Sequence, residues 1–281
     1  MSNIIDGKLV ASSVKQAVKQ EVEELHKKYI KPCLAVILVG ENPASLVYVN
    51  NKQKTCNELG IESKSIIISE NFGQENLLDV IQDLNEDPTV NGILCQLPLP
   101  AGYDEQAVIE AINPTKDVDA FHPINVGRIV TGNYAFLPCT PAGIMEMLQY
   151  YNIDISGKEC VVVGRSNIVG KPMSMLLLHK NGTVTIAHSK TKDLSEVCRR
   201  ADILVAAVGK PKFITADMVK DGAVVIDVGI NRIDGKLCGD VDFENVSRKT
   251  SWITPVPGGV GPMTIAMLMK NTVTAAKLQN S

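Results

Sequence analysis

Val161-Val162-Val163-Gly164-Arg165-Ser166-Asn167-Ile168-Val169-Gly170-Lys171-Pro172 sets the fold class, because a short apolar run enters a glycine turn and then a helix start. Three β-branched residues in a row suit a strand covered on both faces, as in a parallel sheet. A glycine turn leading into a helix start leaves backbone amides facing a ligand, the arrangement that receives a phosphate. The spacing is not G-x-G-x-x-G: Ser166 stands at the middle glycine position and Gly170 comes late. Strand, turn and helix nevertheless follow in the order of a nucleotide-binding βα unit, the alternative being a plain strand-to-helix turn.

Outward from this stretch, the alternation of strand and helix patterns covers the chain. Downstream, strands are expected at 183–187, 203–207 and 223–228, with helices after Gly170 and near 194–199. Upstream, Leu9, Val10, Val14, Val18, Val22 and Leu25 recur at helical spacing, followed by a continuous apolar strand at 33–39. A helix at 45–59 ending before Gly60, a strand at 65–68, a helix at 75–84 and a strand at 92–95 complete a first rhythm. The stretch 98–141 is rich in Pro, Gly and Asn, and the domain junction is placed at its end. The fold expected is α/β: two α/β domains flanking a cleft, the second a Rossmann-type parallel sheet.

Composition narrows the function classes. A chain of 281 residues with 45% hydrophobic content is long enough for two domains of ordinary size. A net charge of −3, one Trp and five Phe offer neither a basic track nor a stacking platform, so nucleic acid is not an expected partner. The seven cysteines show no C-x-x-C and no short Cys/His pairing, which argues against a metal site and a disulfide framework and for thiols in a reducing cytoplasm. No apolar run approaches the roughly eighteen residues of a membrane span, so no membrane association is expected.

Several segments carry groups suited to chemistry. Tyr48 and Lys52 are four apart on one helical face, where burial would favour a neutral, proton-moving amine; the same spacing also suits a solvated helix surface. Lys54 falls on another face. Gln96 ends an apolar strand at its carboxyl end, where open α/β sheets meet ligands. Lys116-Asp117-Val118-Asp119 sets two carboxylates in an apolar loop, as solvated or capping groups or as ligands. Arg165 adds a cationic fork beside the glycine turn, and Ser189 follows the next strand, with no Asp or Glu there to hold ribose hydroxyls. That combination favours NADP over NAD. Pro255-Val256-Pro257-Gly258-Gly259-Val260-Gly261-Pro262-Met263-Thr264 contains no charge and reads as a stiff, bare loop with a helix beginning at Pro262.

These segments resemble the bifunctional methylenetetrahydrofolate dehydrogenase/cyclohydrolase family. The Tyr-x3-Lys helix, Gln-Leu-Pro-Leu-Pro, Lys-Asp-Val-Asp, Pro-Cys-Thr-Pro, Val-Val-Gly-Arg-Ser-x2-Val-Gly-x-Pro and the Pro/Gly loop stand in the family's order nearly end to end. The resemblance implies NADP-dependent oxidation of 5,10-methylenetetrahydrofolate and hydrolysis of the methenyl product to 10-formyltetrahydrofolate. It implies Lys52 as the catalytic lysine, Tyr48 aligning the folate ring, Gln96 positioning Lys52, and Asp119 at the pterin edge. Gly164, Arg165, Ser166 and Ser189 would hold NADP, with Ile230 near the nicotinamide. Pro257, Gly258, Gly259 and Val260 would close over folate. It further implies a folate-binding catalytic domain of residues 1–139 plus 265–281, an NADP-binding domain of residues 140–264, and a homodimer formed through the latter. One departure stands out: the family's glycine after Lys-Asp-Val-Asp is Ala120, which bears on Asp119 if that backbone takes a positive φ.

The chemistry implied by the resemblance needs few polar groups. Hydride departure from the carbon bridging N5 and N10 requires alignment but no proton removal, whereas hydrolysis of the resulting cation requires proton shuttling. Two other classes compete. A short-chain-type dehydrogenase would use Tyr48 and Lys52 on a hydroxyl or ketone, but its Tyr-x3-Lys pair follows the nucleotide turn, whereas Tyr48 precedes Gly164. A non-catalytic NADP-binding regulator would bind nucleotide and oxidise no folate.

Overall fold

A computed structural model describes residues 2–281. In chain order its elements are β1 (Asn3–Ile4), α1 (Gly7–Lys27), β2 (Cys33–Val39), α2 (Pro43–Leu59), β3 (Glu62–Ile68), α3 (Gln74–Glu86), β4 (Gly92–Cys95), α4 (Glu105–Ala111), α5 (Pro123–Thr131) and α6 (Cys139–Tyr150). There follow β5 (Glu159–Val163), α7 (Gly170–His179), β6 (Thr183–Ala187), α8 (Leu194–Arg199), β7 (Ile203–Ala206), β8 (Val224–Asp227), β9 (Asn231–Ile233), β10 (Lys236–Cys238), α9 (Phe243–Val246), β11 (Trp252–Ile253) and α10 (Val260–Gln279). No helix among the described residues is long and apolar enough to cross a membrane.

The chain divides into two compact units, Met1–Ser12 with Pro138–Ala266 and Ser13–Leu137 with Met267–Ser281. This division differs from the expected one at the N terminus. β1 pairs in parallel with β11, and the Ser2 hydroxyl bonds to Ser247 O and Thr250 O, so the first residues are tied to the 138–266 unit.

The Ser13–Leu137 unit is built on a parallel sheet in the order β3-β2-β4. Every residue of β2 is buried, as a strand with both faces covered requires. β3 alternates between exposed and half-buried positions and carries Glu62 and Lys64, charged side chains that blunt a free edge. On α3, Leu77, Ile81 and Leu84 turn one stripe onto Ala35, Ile37 and Ile93 of the sheet. Burying each such side chain is worth roughly 1.5–3 kcal/mol.

The other unit carries a parallel sheet in the order β1-β11-β8-β7-β5-β6. Its first strand after Pro138, β5, lies between β6 on one side and β7 on the other. That reversal makes the carboxyl ends of β5 and β7 the topological switch point, the place where such sheets receive ligands.

The stretch 98–141, rich in Pro, Gly and Asn, carries α4, α5 and the start of α6. Their starts are set locally: the Asp104 carboxylate accepts from the amides of Gln106 and Ala107, and His122 caps α5 with Pro123 in its first turn. The helix expected from Pro262 begins at Val260, because proline is tolerated within a helix's first turn. The strand expected at 65–68 begins at Glu62, and the helix expected at 45–59 begins at Pro43.

Candidate active site

Lys52 and Gln96 meet through α2 and β4. Gln96 follows the last residue of β4, and its amide donates to Ile37 O at 2.9 Å, extending the ladder by one step. Its side-chain nitrogen donates to Leu97 O at 2.7 Å, which turns Oε1 outward to accept from Lys52 Nζ at 2.7 Å. An amide oxygen accepts from an ammonium and from a neutral amine alike, so this bond survives loss of a proton. Tyr48 stands one helical turn before Lys52 and is 43% exposed. Lys54, on another face, is exposed and lies 4.0 Å from Glu58.

The Lys-Asp-Val-Asp segment runs beside β4, held by the bond from Ile93 N to Lys116 O. Two of its three charged groups are consumed inside the fold. Lys116 is buried and donates to Leu84 O at 3.0 Å and Asp87 O at 2.7 Å, capping the end of α3, and burial pushes its amine down. Asp117 is buried and accepts from the amides of Phe121 and His122 and from Asn125 Nδ2, while burial pushes its carboxyl up. Asp119 is the half-buried member. Burial, and next the Asp119 charge, push the Cys95 thiol up to about 12, so Asp119 acts electrostatically at the strand end that leads into Gln96. Ala120 has φ 58°, the left-handed conformation that its replacement of glycine brought into question.

In the other unit, Gly164 leaves β5 with φ 144°, and a Cβ there would stand 2.3 Å from Ala207 O. A Cβ on Gly170 would stand 2.2 Å from Gly164 O, so turn and helix start meet backbone against backbone. Ser166 Oγ accepts from the amides of Val169 and Gly170 at 3.2 and 3.3 Å, tightening the entry to α7. Arg165 and Ser166 are exposed on this turn. Val163 of β5 pairs with Ala187 of β6, so Arg165 and the exposed Ser189 follow their strands at the same offset on neighbouring carboxyl ends. Ile230 follows β8 and is 54% exposed.

The Pro/Gly loop is divided. The Val256–Pro257 peptide is cis, Pro257 is exposed and Gly258 half-buried, with Gly258 O accepting from Gly7 N at 3.0 Å. Gly259 and Val260 are buried where α10 begins, so of the four residues Pro257, Gly258, Gly259 and Val260 the first two present accessible atoms. Two buried carboxylates, Asp227 and Asp240, sit behind the ends of β7 and β8 and have no counterpart among the residues singled out from sequence. A glycine beside each acid, Gly229 and Gly239, is the trace they leave in the sequence.

Both halves of the chain match known family models. Residues 5–119 match the tetrahydrofolate dehydrogenase/cyclohydrolase catalytic domain, and residues 138–280 the NAD(P)-binding domain of the same family. Over 279 residues the chain is 63% identical to the bifunctional protein FolD of Acetivibrio thermocellus, covering 99% of this chain and 98% of that one. The structure of the FolD methylenetetrahydrofolate dehydrogenase/cyclohydrolase from Campylobacter jejuni superposes with a TM-score of 0.97 at 52% identity, covering 99% of each chain. That of the Trypanosoma brucei methylenetetrahydrofolate dehydrogenase-cyclohydrolase, complexed with NADP and an inhibitor, gives 0.93 at 38% identity, covering 99% of this chain and 98% of the other. At this identity over its whole length, the chain belongs to the tetrahydrofolate dehydrogenase/cyclohydrolase family and is a bifunctional enzyme, a methylenetetrahydrofolate dehydrogenase and methenyltetrahydrofolate cyclohydrolase.

Proposed function

We propose that NADP is the oxidant and that Lys52 moves protons in the hydrolytic half of the reaction. The observation that carries the second part is the 2.7 Å bond from Lys52 Nζ to Gln96 Oε1, which holds the amine in place whether or not it is protonated. Tyr48 aligns the folate ring on the same helical face, and Asp119 offers a carboxylate to N–H donors at the pterin edge. Pro257, Gly258, Gly259 and Val260 form the loop that closes over folate. The folate-binding domain is taken as residues 1–139 plus 265–281 and the NADP-binding domain as 140–264, with the first twelve residues packed on the nucleotide side.

The residues around the glycine turn fit NADP. Gly164 admits close backbone approach where any side chain would collide with Ala207 O, and exposed Arg165 supplies a fork for a 2′-phosphate beside Ser189. The Trypanosoma brucei relative was solved with NADP. When bound, NADP supplies the hydride acceptor. Tyr48 and Asp119 orient the substrate so that its bridging carbon loses hydride without any proton transfer. In hydrolysis, water adds to the methenyl carbon; Lys52, in its neutral form, takes the proton released and returns one to the ring nitrogen as the C–N bond opens. Homodimerisation through the nucleotide-binding unit belongs to the same reading. A cytoplasmic setting is supported by cysteines that form no disulfide among the described residues.

Following methenyltetrahydrofolate by absorbance tests the reading. Lys52→Met keeps the length of the side chain and removes the base. Hydrolysis should fall roughly a hundred- to ten-thousand-fold, the usual worth of general acid-base help, while NADP-dependent formation of the methenyl product stays measurable. Equal loss of both steps would make Lys52 a substrate-binding group, and unchanged hydrolysis would remove it from the mechanism.

A further inference from the structure

Asp240 is completely buried, yet among the described residues its partners are four N–H groups and no cationic side chain. Its Oδ2 accepts from the amides of Val208 at 2.6 Å and Gly209 at 2.9 Å; its Oδ1 accepts from the amide of Lys210 and from Asn231 Nδ2, both at 2.9 Å. Asp227, 3% exposed, stands behind it. Asp227 Oδ1 accepts from the amides of Gly229 at 3.0 Å and Asp240 at 2.8 Å, and Oδ2 from that of Val241 at 2.9 Å. The fit leaves no space. A Cβ on Gly239 would stand 1.8 Å from Asp227 Oδ2, and one on Gly229 would stand 2.3 Å from Asp240 Oδ1. Two carboxylates thus gather the loop after β7, the loop after β8 and the segment entering α9 through charge-assisted bonds, the stronger class of hydrogen bond.

Those two loops lie at the carboxyl edge of the sheet, beyond the switch point from Arg165 and Ser189. A dinucleotide whose adenosine half sits over β5 and β6 reaches toward β7 and β8 with its nicotinamide half. Truncating the charge would leave several inward-facing amides facing a side chain with a single acceptor oxygen.

We propose that Asp240, supported by Asp227, is a positioning residue for hydride transfer: it fixes the 208–210 loop and, through Asn231, the loop bearing Ile230, and so shapes the nicotinamide half of the nucleotide site. The proposal rests on the reading of this unit as the NADP-binding one. It predicts a split within one ligand and between two activities, because cyclohydrolysis and binding of the adenosine half need neither loop.

The test is Asp240→Asn, with the gentler Asn231→Ala alongside it, in calorimetric titrations with NADP and with 2′,5′-ADP and in both activity assays. Asp240→Asn should bind 2′,5′-ADP within twofold of wild type and NADP at least fivefold more weakly. Its dehydrogenase kcat should fall at least tenfold and its cyclohydrolase kcat stay within twofold. Asn231→Ala should move the same quantities in the same direction by two- to fivefold, and it decides the matter if Asp240→Asn fails to fold. Equal weakening of NADP and 2′,5′-ADP, or parallel loss of both activities, would reduce the pair to a structural support and overturn the proposal. Unchanged NADP affinity and dehydrogenase kcat in Asn231→Ala would overturn it too. Wild type that binds 2′,5′-ADP but not NADP would overturn the proposal alone, and wild type that binds neither would overturn the NADP reading beneath it.

Discussion

Ala120 holds a left-handed backbone, φ 58°, with its methyl group fully buried and its amide donating to Asp117 O at 3.1 Å. For an L-residue this conformation costs roughly 1–2 kcal/mol. Glycine would relieve that strain, but it would add roughly 0.4–1 kcal/mol of unfolded-chain entropy and delete a buried methyl group worth about 0.8 kcal/mol. The terms nearly cancel, which is how alanine persists at a position suited to glycine. Ala120→Gly should therefore change stability by less than about 1 kcal/mol, whereas Ala120→Val, β-branched at positive φ, should lose well over that. Urea midpoints of the three proteins check both. A large loss for the glycine variant would mean that the methyl packing dominates.

In the function proposed above, the β5–turn–α7 element sets the cofactor choice. Its glycines would bring backbone close to a phosphate, and Arg165 would decide which nucleotide gains from it, because its exposed guanidinium stands at the same offset after β5 as Ser189 after β6. A charge-assisted phosphate contact is worth about 1.5–3 kcal/mol, so Arg165→Ala should weaken NADP roughly ten- to a hundredfold and leave NAD affinity nearly unchanged. Titration with each nucleotide measures it, and equal weakening of both would remove Arg165 from 2′-phosphate recognition. Elements of this kind were readable because their signals are local: the continuous apolar runs of β2 and β5, and the four-residue spacing of Tyr48 and Lys52. β1 and β11 were not, since two-residue strands that pair across most of the chain leave no periodic trace. The β9–β10 hairpin had a legible signal in Asp234-Gly235, both with positive φ, and it is a turn signal that strand periodicity passes over. Which charged residues of Lys-Asp-Val-Asp face inward was also beyond spacing, because burial of Lys116 and Asp117 depends on carbonyls and amides supplied by α3 and α5. The Asp227–Asp240 pairing was hidden for the same reason, as its two members come together across a hairpin.

Titration couples these local arrangements to the stability of the protein. Solvent-accessible carboxylates paired with cations, such as Glu196 with Arg199 and the half-buried Asp202 with Lys220, are held below their ordinary values by those partners. Their contribution is present above the unfolded values and lost as pH falls, and it is small because solvent screens such pairs. Asp227 runs the other way. Burial, which outweighs the three amides it accepts, pushes its carboxyl up from 3.8 to about 6. Between those values the folded state binds more protons than the unfolded state, so this group's contribution to stability falls as pH rises from about 4 to 6 and then levels off. A carboxylate kept ionised at neutral pH against that gradient is one the fold retains for what its charge holds in place. Asp227→Asn removes the titration, so the stability of wild type relative to this variant should decline through that window by up to about 1.4 kcal/mol per pH unit and be pH-independent above it. Urea midpoints of the two proteins measured from pH 4 to 8 decide the matter. Parallel curves would give Asp227 an ordinary titration and leave its burial without energetic consequence, whereas a relative stability of wild type that falls toward acid would mean that its amides outweigh desolvation.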